Sequence, residues 1–258
     1  MTIVALMTVR NEIRYLDRCL SHLHKEGVDV CVIDNDSSDG TQRLARDWLG
    51  RGVIRVEHLT FNGYFDLTAI LRNEERLAKE IPADWFLHHD ADEIRESPEG
   101  FGRLAEALCR VDREGCDSVD FNEFIFVPAD GETHESGNYV ETMRRYYFFE
   151  PSKLRRVNAW KKTGQAVDLV SSGGHQVRFG GQKIYPVPFV LRHYPVLSRR
   201  HLIEKYSRPY SPDELEKGWH HPLNGPLVRW PEADRLKVLG LDGRWDKSDP
   251  WRRHPYFE

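Results

Sequence analysis

Trp85-Phe86-Leu87-His88-His89-Asp90-Ala91-Asp92-Glu93-Ile94 is the stretch from which the rest of the chain can be read. Three apolar residues look like the end of a buried strand. The chain then turns abruptly polar and places Asp90, Asp92 and Glu93 within four positions. In an extended segment alternate side chains share a face, so Asp90 and Asp92 can point the same way. Carboxylates crowded like this repel one another unless positive charge lies between them. A hard divalent cation carrying phosphate oxygens would supply that charge. An acidic surface turn would show the same Asp-x-Asp spacing, and the apolar strand in front of it is what favours a metal.

Working back from this turn, strands alternate with helices. Residues 3–7 form a short, fully apolar run of the kind a parallel strand buried on both faces shows. A helix follows with Ile13, Leu16, Leu20 and Leu23 on one stripe, closed by Gly27. Residues 28–33 read as a second strand, Leu44 to Leu49 as a second helix and 53–56 as a third strand. A third helix covers about 66–80, with Leu67, Ile70, Leu71, Leu77 and Ala78 inward, and stops before Pro82. This alternation predicts an α/β fold with a central, mostly parallel sheet flanked by helices. In such sheets ligands bind beyond the carboxyl ends of the strands. Three polar loops sit there: 8–12, 34–41 and 88–93.

Further on, Pro98 opens a helix with Phe101, Leu104, Leu108 and Val111 inward. Residues 118–127 read as a strand carrying Asp120, Asn122 and Glu123, 128–140 as a polar loop and 143–149 as another strand. Strands and loops continue to about His193. From Tyr206 the chain is rich in Pro, Trp, His and Arg with little periodicity, which predicts an irregular C-terminal arm.

The 258 residues permit one large domain or two small ones. A formal net charge of −4 gives no overall basic field and argues against a nucleic-acid partner. Cys19, Cys31, Cys109 and Cys116 form no Cys-x-x-Cys pair, as expected of reduced thiols in a cytosolic protein. No basic-then-apolar segment precedes the first strand, and no apolar stretch approaches the ~18 residues of a membrane helix. These features predict a cytoplasmic protein without a transmembrane segment, peripheral membrane contact being left open.

The loop Asp34-Asn35-Asp36-Ser37-Ser38-Asp39-Gly40-Thr41 carries three carboxylates ahead of a helix. Ser38 or Asp39 would cap that helix, but a cap needs one residue. A further carboxylate here could accept the imide N–H of a uracil or the N–H groups of a guanine, while its neighbours meet a ribose. Arg10, in the neighbouring loop, could face a phosphate.

Taken together, Arg10-Asn11-Glu12, Tyr15-Leu16, Cys19-Leu20 and the loop 34–41 resemble the opening of family 2 glycosyltransferases of the GT-A fold. Asp90-Ala91-Asp92-Glu93 is similar to their Asp-x-Asp motif, and Arg72-Asn73 to a pair in the helix before it. Leu191-Arg192-His193-Tyr194 with Ser198 and Lys205 resembles the closing part of some of these enzymes. The resemblance implies a GT-A domain over 1–205, with a nucleotide-binding half (1–95) and an acceptor-side half (96–205), followed by the arm at 206–258. It implies a nucleotide-diphosphate sugar donor (UDP-, GDP- or dTDP-linked), a glycan or small-molecule acceptor, and Mn2+ or Mg2+. The donor site would include Arg10, Asn11, Asp34, Asp36, Arg72, Asp90 and Lys205. Asp36 would contact the base, with Asp34 close by, and Arg72 would brace the site. Asp92 would bind the metal directly, Asp90 would face the ribose or sugar, and His193 would complete the metal or diphosphate site.

A metal neutralises charge on a departing β-phosphate without proton transfer. An inverting transfer also needs a base for the acceptor hydroxyl. Such enzymes often place it in a late Glu-Asp pair, which is missing here. The candidates are Glu123, Asp120 and His175, Glu123 foremost. A non-catalytic nucleotide-sugar or glycan binding module is the competing expectation, and His88 and His89 beside Asp90 keep a metal phosphoesterase in view. Tyr64, Phe65, Trp160, Trp219 and Trp230 are candidates to stack on sugar faces. Arg155-Arg156 and Lys161-Lys162 suggest a solvated face or a phosphate-bearing acceptor.

Overall fold

The computed structural model describes residues 1–151, 156–217 and 230–254. Strands β1 (Ile3–Val9), β2 (Asp29–Asp34), β3 (Val53–His58) and β4 (Trp85–His88) lie parallel in the order β3-β2-β1-β4. Because side chains alternate along a strand, β1 feeds two cores. Ile3, Ala5 and Met7 pack with Leu16 and Leu20 of helix α1 (Leu16–Lys25) and Ala45 of α2 (Thr41–Asp47). Val4 and Leu6 pack on the other face with Leu71, Leu77 and Ala78 of α3 (Leu67–Glu80). The uninterrupted apolar run at 3–7 is therefore explained by helices on both faces. Helix α1 begins three residues later than its stripe suggests. Residues 12–15 form a turn on the Glu12 carbonyl, and Ile13 is 39% exposed.

The second half adds β5 (Glu93–Glu96), α4 (Leu104–Arg113), β6 (Ser118–Phe126), α5 (Tyr139–Thr142), β7 (Arg145–Phe149), β8 (Arg156–Lys161), β9 (Phe189–His193), α6 (Arg199–Tyr206), α7 (Pro212–Lys217) and β10 (Lys237–Val238). The ten-stranded sheet runs β10-β7-β6-β8-β4-β1-β2-β3, with β9 and β5 off this line. Its added pairings are antiparallel except β6 with β9.

The sheet forks at β6. Residues 118–121 of β6 pair with β8, residues 121–125 pair with β9, and the β8 register slips between Val119 and Asp120. Beyond β8 lies β4, and beyond β9 lies β5. The acidic turn joins β4 to β5, so it crosses the mouth of the fork. Its backbone is pinned on both sides: the His89 N–H donates to the Leu6 carbonyl at 3.1 Å and the Tyr194 N–H to the Asp92 carbonyl at 2.8 Å.

Where it is described, the C-terminal arm packs on the domain. Strand β10 extends the sheet beside β7, Trp245 stacks on Phe124 at 4.2 Å and Trp251 on Tyr147 at 4.6 Å. Residues 206–211 pass over the loop before α3. Among the described residues no helix is long and apolar enough to cross a membrane.

Candidate active site

A cleft of about 240 Å³ opens above the fork, lined by all three predicted loops together with β8, β9 and the segment after α6. Asp90 is exposed to it, while Asp92 and Glu93 are buried. Glu93 is held by Arg95 at 2.6 Å, and Arg95 lies 4.4 Å from the Phe121 ring centroid. That leaves Asp90 as the carboxylate of the turn with no cation at hydrogen-bond distance among the described residues. Burial of its surroundings and the charge of Glu93 push it up to about 6.

Across the floor of the cleft the charges alternate. The Lys205 ammonium donates to Asp92 Oδ2 at 2.6 Å and to the Pro195 carbonyl at 3.2 Å. His193 Nε2 lies 3.6 Å from the same Asp92 oxygen, and its Nδ1 is 2.8 Å from Glu123 Oε1. Arg156 grips Glu123 through Nε at 2.6 Å and Nη2 at 3.1 Å, and its Nη1 meets His175 Nδ1. Burial would lower His193, but Asp92 and then Glu123 outweigh it and raise the imidazole to about 10. Both its nitrogens therefore carry protons, so His193 offers the site a positive charge rather than a lone pair.

The same chain bears on the candidate bases. Burial would raise Glu123, yet Arg156 and His193 hold it far below the usual carboxylate range. Asp120 lies at the register slip, where its Oδ1 accepts the backbone N–H groups of Phe121 and Arg156, both at 3.0 Å. His175 is pushed down to about 3 by Arg156 and by burial, so it lines the cleft as a neutral imidazole.

A second network supports the cleft from α3. Glu74, 1% exposed, accepts from Thr8 Oγ1 at 2.9 Å and pairs with His88 Nδ1 at 2.6 Å. Burial would lower His88, but Glu74 raises it to about 9. Gly174 leaves room for this imidazole, since a Cβ there would lie 2.9 Å from His88 Nε2. Glu74 is not among the residues singled out from the sequence; its signal there is that it is the one acid on the inward stripe of α3.

The first two loops are stitched together more than they are opened toward a ligand. Asn11, in the left-handed region at φ +57°, accepts the Ser38 N–H at 2.8 Å and donates its own to Ser37 Oγ at 3.0 Å. Neither Ser38 nor Asp39 is the cap of α2, which is Gly40; Asp39 Oδ1 accepts the N–H and hydroxyl of Thr41, the first helical residue, at 3.0 and 2.6 Å. Asp34 is buried, with Oδ2 accepting from Ser37 and Gln42 and Oδ1 lacking a partner. Asp36, also left-handed at φ +53°, takes the Phe61 N–H at 2.7 Å and His58 Nε2 at 2.6 Å. Neither Asp34 nor Asp36 lines the cleft. Arg72 is exposed on α3 and stands outside the lining as well. Arg10 does line it, donating to the Asn35 and Asp36 carbonyls at 2.5 and 2.7 Å. Of the aromatics, Phe65 lines the cleft and Trp160 is core, stacked on Phe86 at 5.8 Å. Trp219 and Arg155 lie outside the described residues.

Residues 4–154, more than half of the chain, match the sequence model of Glycosyl transferase family 2. The chain belongs to glycosyl transferase family 2. Solved structures similar to this family 2 chain include S. aureus TarS, at 13% identity and TM-score 0.47 over 75% of this chain and 37% of that one. TarS 1-349 in complex with UDP-GlcNAc aligns at 12% identity and TM-score 0.47 over 78% and 60%. TarS 1-349 in complex with UDP aligns at 11% identity and TM-score 0.45 over 75% and 60%. The family 2 chain thus spans between about a third and three fifths of the lengths of these structures. No curated protein matches it in sequence.

Among the described residues no three His, Cys, Asp or Glu side chains form a metal cage. The donor set still fits a hard cation of the kind that takes most of its shell from water and phosphate. Asp90 is an exposed carboxylate with no cation at hydrogen-bond distance among the described residues, and the Lys205 ammonium on Asp92 already marks a seat for positive charge.

Proposed function

We propose that this chain transfers a sugar from a nucleotide-diphosphate donor to a hydroxyl acceptor, in a single inverting displacement within a domain at 1–205. The observation that carries this is the pairing of one exposed carboxylate, Asp90, with a row of cleft-facing cations, Lys205, His193 and Arg10. A nucleoside diphosphate with its divalent ion complements that arrangement: the ion meets the carboxylate and the phosphates meet the cations. Asp90, assisted by Asp92, would hold Mn2+ or Mg2+, which when bound neutralises charge on the departing phosphate. Lys205 and His193 act on the same charge from the protein side. Their geometry is fixed beforehand by Asp92 and Glu123, so little reorganisation is needed as the bond breaks. Glu123 serves as an anchor rather than a base. His175, neutral with its Nδ1 accepting from Arg156, presents an Nε2–H that orients the oxygen of the incoming hydroxyl, whose proton leaves to solvent. Asp34, Asp36, Asn11 and Arg72 support the loops around the base end, and Tyr206 and Arg208 of the arm line the cleft.

A second reading, a binding module without turnover, is favoured by one observation: each candidate base is tied up or held low. Release of free nucleotide from UDP-, GDP- and dTDP-sugars, with manganese and a pool of glycan acceptors, separates the two. Acceptor-stimulated release is expected. Donor binding with no release under any acceptor would establish the module instead.

A further inference from the structure

Lys205 lies in the last turn of α6 (Arg199–Tyr206), and the chain beyond the helix runs as a strap over the loop before α3. The Phe65 N–H donates to the Pro209 carbonyl at 2.8 Å, and the Ser211 N–H donates to the Phe65 carbonyl at 3.0 Å. Phe65 and Tyr210 meet edge to face at 6.0 Å. Between these ties sits Arg208, its guanidinium 4.0 Å from the Phe65 ring centroid and 5.6 Å from that of Tyr210. On the facing loop Arg10 is stacked in the same manner, 3.3 Å from the Phe61 ring centroid.

Both arginines line the cleft, and neither is in an ion pair among the described residues. Arg10 spends its donors on two backbone carbonyls, and Arg208 Nε is buried with no hydrogen-bond partner. They are close enough that the charge of Arg208 disfavours that of Arg10, after the larger effects of burial, which lowers it, and of Asp36 and Asp34, which favour it without pairing with it. Glu12 feels Arg208 less than it feels Lys205. Two like charges held rigidly on aromatic faces, with donors to spare, are costly unless an anion joins them. Guanidinium forks match phosphate oxygens in shape as well as charge.

We propose that Arg208 and Arg10 together seat the phosphates of the donor, and that residues 206–211 are the strap that delivers Arg208 to them. This rests on the donor reading above and adds a binding residue that lies beyond the matched part of the family. It also gives the segment after α6 a defined task.

The test is calorimetry on the full chain with manganese, using UDP, GDP and dTDP, and then the nucleoside matching the tightest of them. A hydrogen bond to a charged group is worth about 1.5–3 kcal/mol, so Arg208→Gln should weaken the diphosphate about ten- to a hundredfold. The nucleoside should bind the variant within about twofold of wild type, the spread of an unaffected contact. Arg208→Lys should recover part of the loss, as a point charge in place of a fork. Wild-type affinity for the diphosphate in Arg208→Gln would overturn the assignment. An equal loss for nucleoside and diphosphate would also overturn it, because the residue would then only be holding the strap. If the wild-type chain bound none of the three diphosphates, the donor reading itself would fall, and no comparison of variants would be needed to see it.

Discussion

Replacing Glu123 with glutamine asks whether this carboxylate anchors the site or deprotonates the acceptor. The side chain is 2% exposed and faces Arg156 at 2.6 Å and His193 at 2.8 Å. Glutamine keeps the shape but leaves two partly buried cations without the buried charge between them. Removing one partner of a buried pair costs about 3–5 kcal/mol. The pH dependence has a definite sign. His193 binds its proton more tightly in the folded state, at about 10 against an ordinary value of 6.5. The associated stability is therefore fully present below about pH 6.5 and is lost as pH rises through about 10. A shift of that size corresponds to on the order of 5 kcal/mol. Asp92 supplies the larger part and remains in the variant. Urea unfolding of both proteins at pH 7 and pH 9.5 gives the comparison, and the difference between them cancels the titration of other groups. We expect Glu123→Gln to be less stable by about 3–5 kcal/mol at pH 7, with a gap that narrows at pH 9.5. If the variant matched wild type in stability at both values and lost only turnover, the anchoring argument would be refuted and Glu123 would be the base.

Further outcomes follow from the same geometry. Glu74→Leu strands His88 and Thr8 Oγ1 in the interior and should cost about 3–5 kcal/mol in urea unfolding, with part recovered by adding His88→Phe. Gly174→Ala pushes a Cβ to 2.9 Å from His88 Nε2 at a φ of +80°. It should lower stability by about 1–3 kcal/mol and weaken donor binding; a thermal scan and a titration check both. His175→Ala, losing one neutral hydrogen bond to the acceptor, should reduce acceptor-dependent turnover by up to about tenfold while leaving nucleotide affinity near wild type, which steady-state kinetics beside calorimetry would show.

The parallel half of the fold was legible because burial on both faces leaves an uninterrupted apolar run at 3–7, and the helices carry clear stripes. The acidic turn was legible because polarity switches so sharply after Leu87. Strand β5 was not, since Glu-Ile-Arg-Glu reads as solvent-facing until Arg95 is seen buried against Glu93 and Phe121. The partners of the turn were hidden by distance along the chain: Lys205 lies 113 residues from Asp92. The partners of the loop at 34–41 were hidden for a local reason. Its left-handed turn at Asp36 places that carboxylate on His58 and the Phe61 amide.

The account rests on Asp90 drawing a divalent ion and a nucleoside diphosphate into the cleft together. Calorimetric titration of wild type and Asp90→Asn with UDP, GDP and dTDP, with manganese and then with chelator, tests this directly. The account predicts that one diphosphate binds wild type at least about tenfold more tightly with manganese, and that Asp90→Asn loses this gain while retaining the metal-free affinity. Equal affinity with and without manganese in wild type, or a full manganese effect in Asp90→Asn, would contradict it.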